Sequence, residues 1–244
     1  MYLIYIKFNG DYNEYHIRYA NYSEIMELKN FNDITSINFH FYDNSKILYN
    51  DIPSFPKSLT YFWCCSLRLK SLPELPDSLE TLICSYNNLT SLPKLPEKLK
   101  YLDFEGNNFE QLPELPSSLI NLNCSENQLT EISYIPPNLE KLWCKGNKLT
   151  SLPSLPDSLT HLDISLNNIS YLEKIPKSMT HFYCSHNKLT QIPKIFNSSH
   201  NIWCDNNKLQ ILPDFNKMTY IKYENNNFIK KTFYKDKYIK NIIL

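Results

Sequence analysis

Residues 79–98 read LETLICSYNNLTSLPKLPEK and residues 99–118 read LKYLDFEGNNFEQLPELPSS. Laid over one another they share nine columns, seven identical and two with an apolar replacement: Leu79/Leu99, Leu82/Leu102, Cys84/Phe104, Asn87/Asn107, Leu89/Phe109, Leu92/Leu112, Pro93/Pro113, Leu95/Leu115 and Pro96/Pro116. Working outward, the same 20-residue period runs from Leu59 to residue 198 as seven copies without an insertion. An eighth copy begins near Ser199 with Ile202, Cys204, Asn207, Leu209, Leu212 and Pro213. After a one-residue slip, Met218, Ile221, Tyr223, Asn226 and Phe228 form a frayed ninth. Upstream, Ile34, Ile37 and Phe39 read as a degenerate first copy with a longer return to Ile52-Pro53. A fixed period of this length marks a solenoid, in which each unit buries its apolar face only against its neighbours.

Each column has a physical reading. The leucine and cysteine columns (Leu82 and Cys84 and their equivalents) stand two residues apart, so a strand points both to one side, into the core. Burial of each such leucine contributes about 1.5–3 kcal/mol, and stacking makes the contribution continuous along the array. The asparagines (Asn87, Asn107, Asn127, Asn147, Asn167, Asn187, Asn207) follow the strand where the chain turns, and an amide there can bond backbone groups of its own and the adjacent coil. Leu67 interrupts this column in the first full copy, which places that copy under an N-terminal cap. All fifteen prolines lie between Pro53 and Pro213, in the return segments. Proline opposes a helix and favours extended geometry, so the returns are predicted to be extended.

This pattern resembles the leucine-rich repeat family in its short class, with LPxLP returns. The LPxLPxxLxxLxCxxN text is similar to repeats of bacterial effectors of the invasion-plasmid-antigen-H type, and to repeats in proteins of amoebal giant viruses. The fold class so implied is an all-β-dominated leucine-rich repeat solenoid: a curved parallel sheet on the concave face, extended Pro-rich convex returns and a small α+β N-terminal cap. Domain limits are expected at residues 1–33 for a hairpin/helix cap, 34–230 for the repeats (34–58 degenerate, 59–198 regular, 199–230 weaker) and 231–244 for a C-terminal cap or basic tail. In the cap, Tyr2–Phe8 and Tyr12–Tyr19 alternate as strands around the hairpin signal Asn9-Gly10-Asp11, and Ser23 opens a short helix.

Composition excludes several function classes. Lys and Arg number 25, Asp and Glu 25, so the formal net charge is zero and a general polyanion-binding surface is not expected. Only three glycines and one alanine (Ala20) are present, and no phosphate-loop or nucleophile-elbow motif occurs. No apolar run approaches a membrane-spanning length, and the start MYLIYIKFNGDYNEYH carries no secretory pattern, so a cytoplasmic protein is expected, in the host cytoplasm if it is viral. Six of the seven cysteines (Cys64, Cys84, Cys124, Cys144, Cys184, Cys204) share one inward column in which Phe104 and Ile164 substitute. A column that accepts Phe and Ile asks for an apolar group, and reduced cysteine behaves as one; no cofactor or metal is therefore expected. Cys65 alone is expected to face outward.

The outward columns carry the functional expectation. One reads Trp63, Ile83, Asp103, Asn123, Trp143, Asp163, Tyr183, Trp203, and holds all three tryptophans; its neighbour reads Tyr61, Thr81, Tyr101, Asn121, Lys141, His161, His181, Asn201. Outward aromatics are enriched where proteins bind. The candidate partner-binding residues are Tyr61, Trp63, Tyr101, Lys141, Trp143, His161, Asp163, His181, Tyr183 and Trp203. Asp103, Glu105, Asp163 and Asp205, read as solvated charges, share this face and disfavour nucleic acid. His161 and His181 stand one repeat apart, near enough across parallel strands to raise the question of a shared metal, but the spacing demands no carboxylate beside them. No catalytic grouping recurs. The expected function is a non-catalytic, monomeric interaction scaffold with a protein partner, bound to neither nucleic acid nor membrane. The resemblance also admits a substrate-recognition subunit of a ubiquitin-ligase-like complex whose catalytic part is on another chain; only a short stretch follows the last copy, so that catalytic activity is not expected to carry over.

Overall fold

The computed structural model describes residues 2–9, 15–17, 22–41, 52–193, 201–211 and 220–228. The chain comprises two units, Met1–Leu119 and Ile120–Leu244, each taken by itself. The expectations for the Gly10-Asp11 turn, for the ends of the second N-terminal strand, for Leu212, Pro213 and Met218, and for the basic tail lie outside the described residues.

The first unit starts with β1 (Tyr2–Phe8), β2 (Tyr15–Ile17) and a one-turn helix α1 (Ser23–Met26). A 3-10 turn, Phe31–Asp33, leads into β3 (Ile34–Phe41), followed by β4 (Tyr61–Trp63), β5 (Thr81–Ile83) and β6 (Tyr101–Asp103). β1 pairs antiparallel with both β2 and β3, whereas β3 to β6 run parallel, β4 to β6 in register at the 20-residue spacing and β3 to β4 across the longer first return. The antiparallel strand β1 therefore covers the edge of β3, an edge that would otherwise present unpaired backbone groups. Ile34, Ile37 and Phe39 of β3 are buried as the degenerate copy requires. The larger side chains at this end fill the first coil: Phe39 meets Phe62 edge-on at 6.0 Å, and Phe55 meets Phe62 at 4.7 Å.

The second unit repeats the regular coil: β7 (Asn121–Asn123), β8 (Lys141–Trp143), β9 (His161–Asp163), β10 (His181–Tyr183), β11 (Asn201–Trp203) and β12 (Tyr220–Lys222). Consecutive strands pair in parallel, β7 through β12. The frayed ninth copy thus supplies a true strand. In both units each strand from β4 to β12 buries its middle side chain and leaves its flanks half-covered or exposed. No described residue after Asp33 is helical, so the proline-bearing returns are extended as expected.

The asparagine ladder joins the coils. Asn87 Nδ2 donates to the carbonyls of Cys64 (2.8 Å) and Cys84 (2.9 Å), while its Oδ1 accepts from the amides of Leu67 and Leu69, each at 3.0 Å. Asn147, Asn167, Asn187 and Asn207 make the same bridges in the second unit, and Asn226 continues them. One buried amide thus serves two backbone carbonyls and the amide of the coil before it, groups that a buried turn would otherwise leave unpaired. Leu67, which replaces asparagine, is fully buried and its coil is held from the next one by Asn87. A second ladder has no counterpart among the sequence expectations: Ser78 and Ser118 Oγ donate to the carbonyls of Leu59 and Leu99, and Ser158 and Ser178 to those of Leu139 and Leu159, all at 2.7 Å.

The residue just before each ladder asparagine adopts a left-handed conformation: Tyr86, Gly106, Glu126, Gly146, Leu166, His186 and Asn206 all have φ between 52° and 66°. Two of the three glycines fall here, where the missing Cβ relieves the strain. At Gly106 a Cβ would stand 2.5 Å from Tyr86 Cδ1, so this glycine also makes room for the tyrosine ring.

Candidate functional site

The strand face opposite the leucine core carries the residues singled out above, because strict alternation sends them there once the middle residue is buried. In the first unit Tyr61, Thr81 and Tyr101 are register partners, as are Trp63, Ile83 and Asp103. Tyr61, Trp63 and Tyr101 therefore share one face, with β5 between the two tyrosines. The Trp63 indole N–H donates to Cys65 Sγ. Cys65 does face away from the core, but it is half-buried, and burial raises its thiol above the usual range. Its outward position therefore does not make it a reactive thiol. Asp103 is not a solvated charge either: its Oδ1 accepts from Ser85 Oγ (2.5 Å) and from the Glu105 amide (3.0 Å).

In the second unit Lys141, His161, His181 and Asn201 are successive register partners, and so are Asn123, Trp143, Asp163, Tyr183 and Trp203. Here the side chains form a continuous ribbon. The His161 and His181 rings stack at 4.2 Å with 9° between their planes, His181 leans on Tyr183 at 6.3 Å, and Tyr183 meets Trp203 edge-on at 5.0 Å. Lys222 Nζ lies 5.9 Å from the Trp203 ring centroid. Trp203 remains 42% exposed, a large apolar surface for a side chain with no place in the core.

Charge on this face differs from the sequence reading here too. Asp205, expected to be solvated, is 2% exposed; it pairs with Lys222 at 3.1 Å and accepts from Ser185 Oγ and Asn206 Nδ2. Burial alone would raise its carboxyl, but the bonds from Ser185, Lys222 and Asn206 together outweigh it and hold the group below its usual range. Asp163 goes the other way: burial raises it, and the bond from the Ser165 amide and the charge of Lys145 only partly offset that. Burial also lowers His161, helped by His181 and Lys141. The serine–aspartate pairs and the Lys222 cover escaped the sequence reading, although the run Ser85, Ser125, Ser165, Ser185 in one column was a signal for them.

The rings of His161 and His181 are held by their neighbours. Nδ1 of each is within 2.8 and 3.0 Å of Thr160 and Thr180 Oγ1, respectively. Among the described residues no group of three or more His, Cys, Asp or Glu side chains is placed to hold a metal. The column cysteines are buried free thiols, and burial raises Cys64, Cys84, Cys144, Cys184 and Cys204 well above the usual range.

Comparison with known proteins agrees with this architecture. The Leucine Rich Repeat family profile matches residues 98–119. The structure of YopM from Yersinia enterocolitica WA-314 superimposes with a TM-score of 0.70 at 36% identity, covering 72% of this chain and 40% of that one. A Shigella effector LRR domain is 32% identical over 61% of this chain and 70% of its own length, with a TM-score of 0.58. YopM from Yersinia pestis, described as a leucine-rich effector protein, gives 0.71 at 27% identity, with coverage of 84% and 64%. The chain belongs to the leucine-rich repeat family, in the type found in bacterial effectors. It spans about two fifths of the Yersinia enterocolitica protein. No curated protein sequence matches it. Among the described residues no helix is long and apolar enough to cross a membrane.

Proposed function

We propose that this protein is a non-catalytic scaffold that binds a protein partner through the strand face opposite its leucine core, the face the repeat pattern assigns to the concave side. The observation that carries the reading is the ribbon His161–His181–Tyr183–Trp203 with Trp143 on the same face: aromatic surface held in place by cross-strand contacts, outside the core. Rigid aromatic side chains lose little entropy on binding and supply most of the energy of protein interfaces. Tyr61, Trp63 and Tyr101 offer the same chemistry in the first unit. The buried free thiols fit a reducing compartment, the cytoplasm, and a monomer is the acting form.

The test is capture of a partner by the intact chain and by two variants. Trp143→Ala is expected to weaken partner binding at least about 30-fold, a loss of about 2 kcal/mol, with the melting temperature nearly unchanged. Ser154→Asp, in an exposed return, is expected to bind as the parent does. A large loss of stability in Trp143→Ala with unaltered binding would make the tryptophan structural and move the interface to the returns or the caps.

A further inference from the structure

The stacked histidines have a defined protonation pattern. Thr160 Oγ1 donates its one hydrogen to the Glu140 carbonyl, and Thr180 Oγ1 donates its own to the Thr160 carbonyl, both at 3.0 Å. A hydroxyl that has spent its hydrogen can only accept, so each neighbouring Nδ1 must be the donor: His161 to Thr160, His181 to Thr180. In the neutral rings the remaining nitrogen, Nε2, then carries a lone pair and no hydrogen. A carboxylate can hydrogen-bond there only after a ring has gained a proton at Nε2. That gain requires no rearrangement, because Nδ1–H already points at its acceptor.

Of the charges around the pair, the cation Lys141 is the one that favours an anion. Lys141 on β8 is the register partner of His161, and Asn201 on β11 is that of His181. Tyr183 lies beside the pair on β10, and Glu140 precedes β8. Asp163 stands two residues along β9, where its Oδ1 accepts from the Ser165 amide. Two imidazolium rings at 4.2 Å repel each other, so the second proton is harder to add than the first.

We propose that the partner segment docking on β8–β11 places a carboxylate against the His161–His181 pair beside Lys141, and that docking takes up a proton. The inference rests on the docking face proposed above and names what that face recognises: an acidic, aromatic-bearing segment of a protein. Binding then tightens as the pH falls toward the point at which the free pair is itself protonated.

The probe is a labelled peptide of about twelve alternating Glu and Tyr residues, bound to the intact chain and followed by fluorescence anisotropy. One proton taken up per complex tightens binding up to about tenfold between about pH 7.5 and 6.5. Calorimetry in buffers of different ionisation heat reads that uptake directly, without any variant. The variant with both His161→Asn and His181→Asn is expected to lose the pH dependence, and Lys141→Gln to bind more weakly at both pH values while keeping it. A Gln/Tyr peptide is expected to bind more weakly and without pH dependence. Equal binding of the Glu and Gln peptides, no proton uptake, or preference for a Lys/Tyr peptide would each overturn the proposal. So would equal or tighter binding of an oligouridylate, which would mark a phosphate site. If the Glu peptide fails while a partner still depends on Trp143, carboxylate recognition falls and the docking face stands. If proton-linked binding persists but nothing depends on Trp143, the histidine site stands and the docking face falls.

Discussion

The two sides of each strand come from the same three residues and the same backbone, yet they obey different rules. Beneath the strands, Leu82, Leu102, Leu122, Leu142 and Leu162 repeat almost without change and are buried to within 1% exposure. Above them, the register partners run through Lys141, His161, His181 and Asn201, three chemistries in four coils. A buried column must fit the coil on either side at close-packed density, so one solution recurs. An outward column meets neighbours on one side only, and is free to vary with what it binds. The difference teaches where to look for function in a solenoid: in the columns where the period fails.

The largest effect expected from that contrast lies in the core. Leu102→Asp or Leu122→Asp places an unpaired charge among buried leucines, and cooperative thermal unfolding should be abolished or sharply weakened. The same charge at exposed Ser154 should leave the melting curve in place; equal damage at both sites would break the assignment of faces. Next comes the ladder. Asn147→Ala leaves the Leu129 amide without its acceptor, whereas the carbonyls of Cys124 and Cys144 keep Asn127 and Asn167 as donors, so about 1–3 kcal/mol is at stake for the one buried group left bare. Urea denaturation should show a loss of about 1–3 kcal/mol. A loss under about 1 kcal/mol would mean that water serves that amide equally well.

A smaller effect is expected at Gly106→Ala, which sets a Cβ against the Tyr86 ring in a left-handed backbone and should cost about 1–2 kcal/mol. Because Glu126 and Leu166 tolerate the same backbone, most of the cost is steric, and adding Tyr86→Ala should recover more than half of it. Failure of that rescue would put the strain in the backbone instead. The smallest effect concerns acid. His161 is held below its ordinary value of 6.5, first by burial and then by His181 and Lys141, so below that pH the unfolded chain binds a proton that the folded one resists. Stability should therefore fall as the pH drops through the window below 6.5, and His161→Asn should flatten that part of the profile. An identical profile in the variant would show that the stack does not resist protonation.

Much of this architecture is legible in the sequence, because every coil poses the same problem. A strand two-residue alternation, a turn needing amide partners and a return barred from helix recur every 20 residues, and Leu, Asn and Pro answer them in fixed columns. The strands β4 to β11, the buried thiols and the asparagine bridges follow from that recurrence alone, as does the side on which Trp63, Trp143 and Trp203 stand. What only the tertiary structure decided is local and pairwise. The left-handed column was hidden because Tyr, Glu, Leu, His and Asn all occupy it beside two glycines. The burial of Asp205 depends on Lys222 from a coil that slips register by one residue, and the cover over Cys65 depends on where the Trp63 ring lies. The histidine stack, with its threonine-fixed rings, depends on rotamers chosen between neighbouring strands. Periodicity reports constraints that every coil shares, whereas a contact between two particular side chains is set by their distance and orientation, and these exist only once the strands are paired.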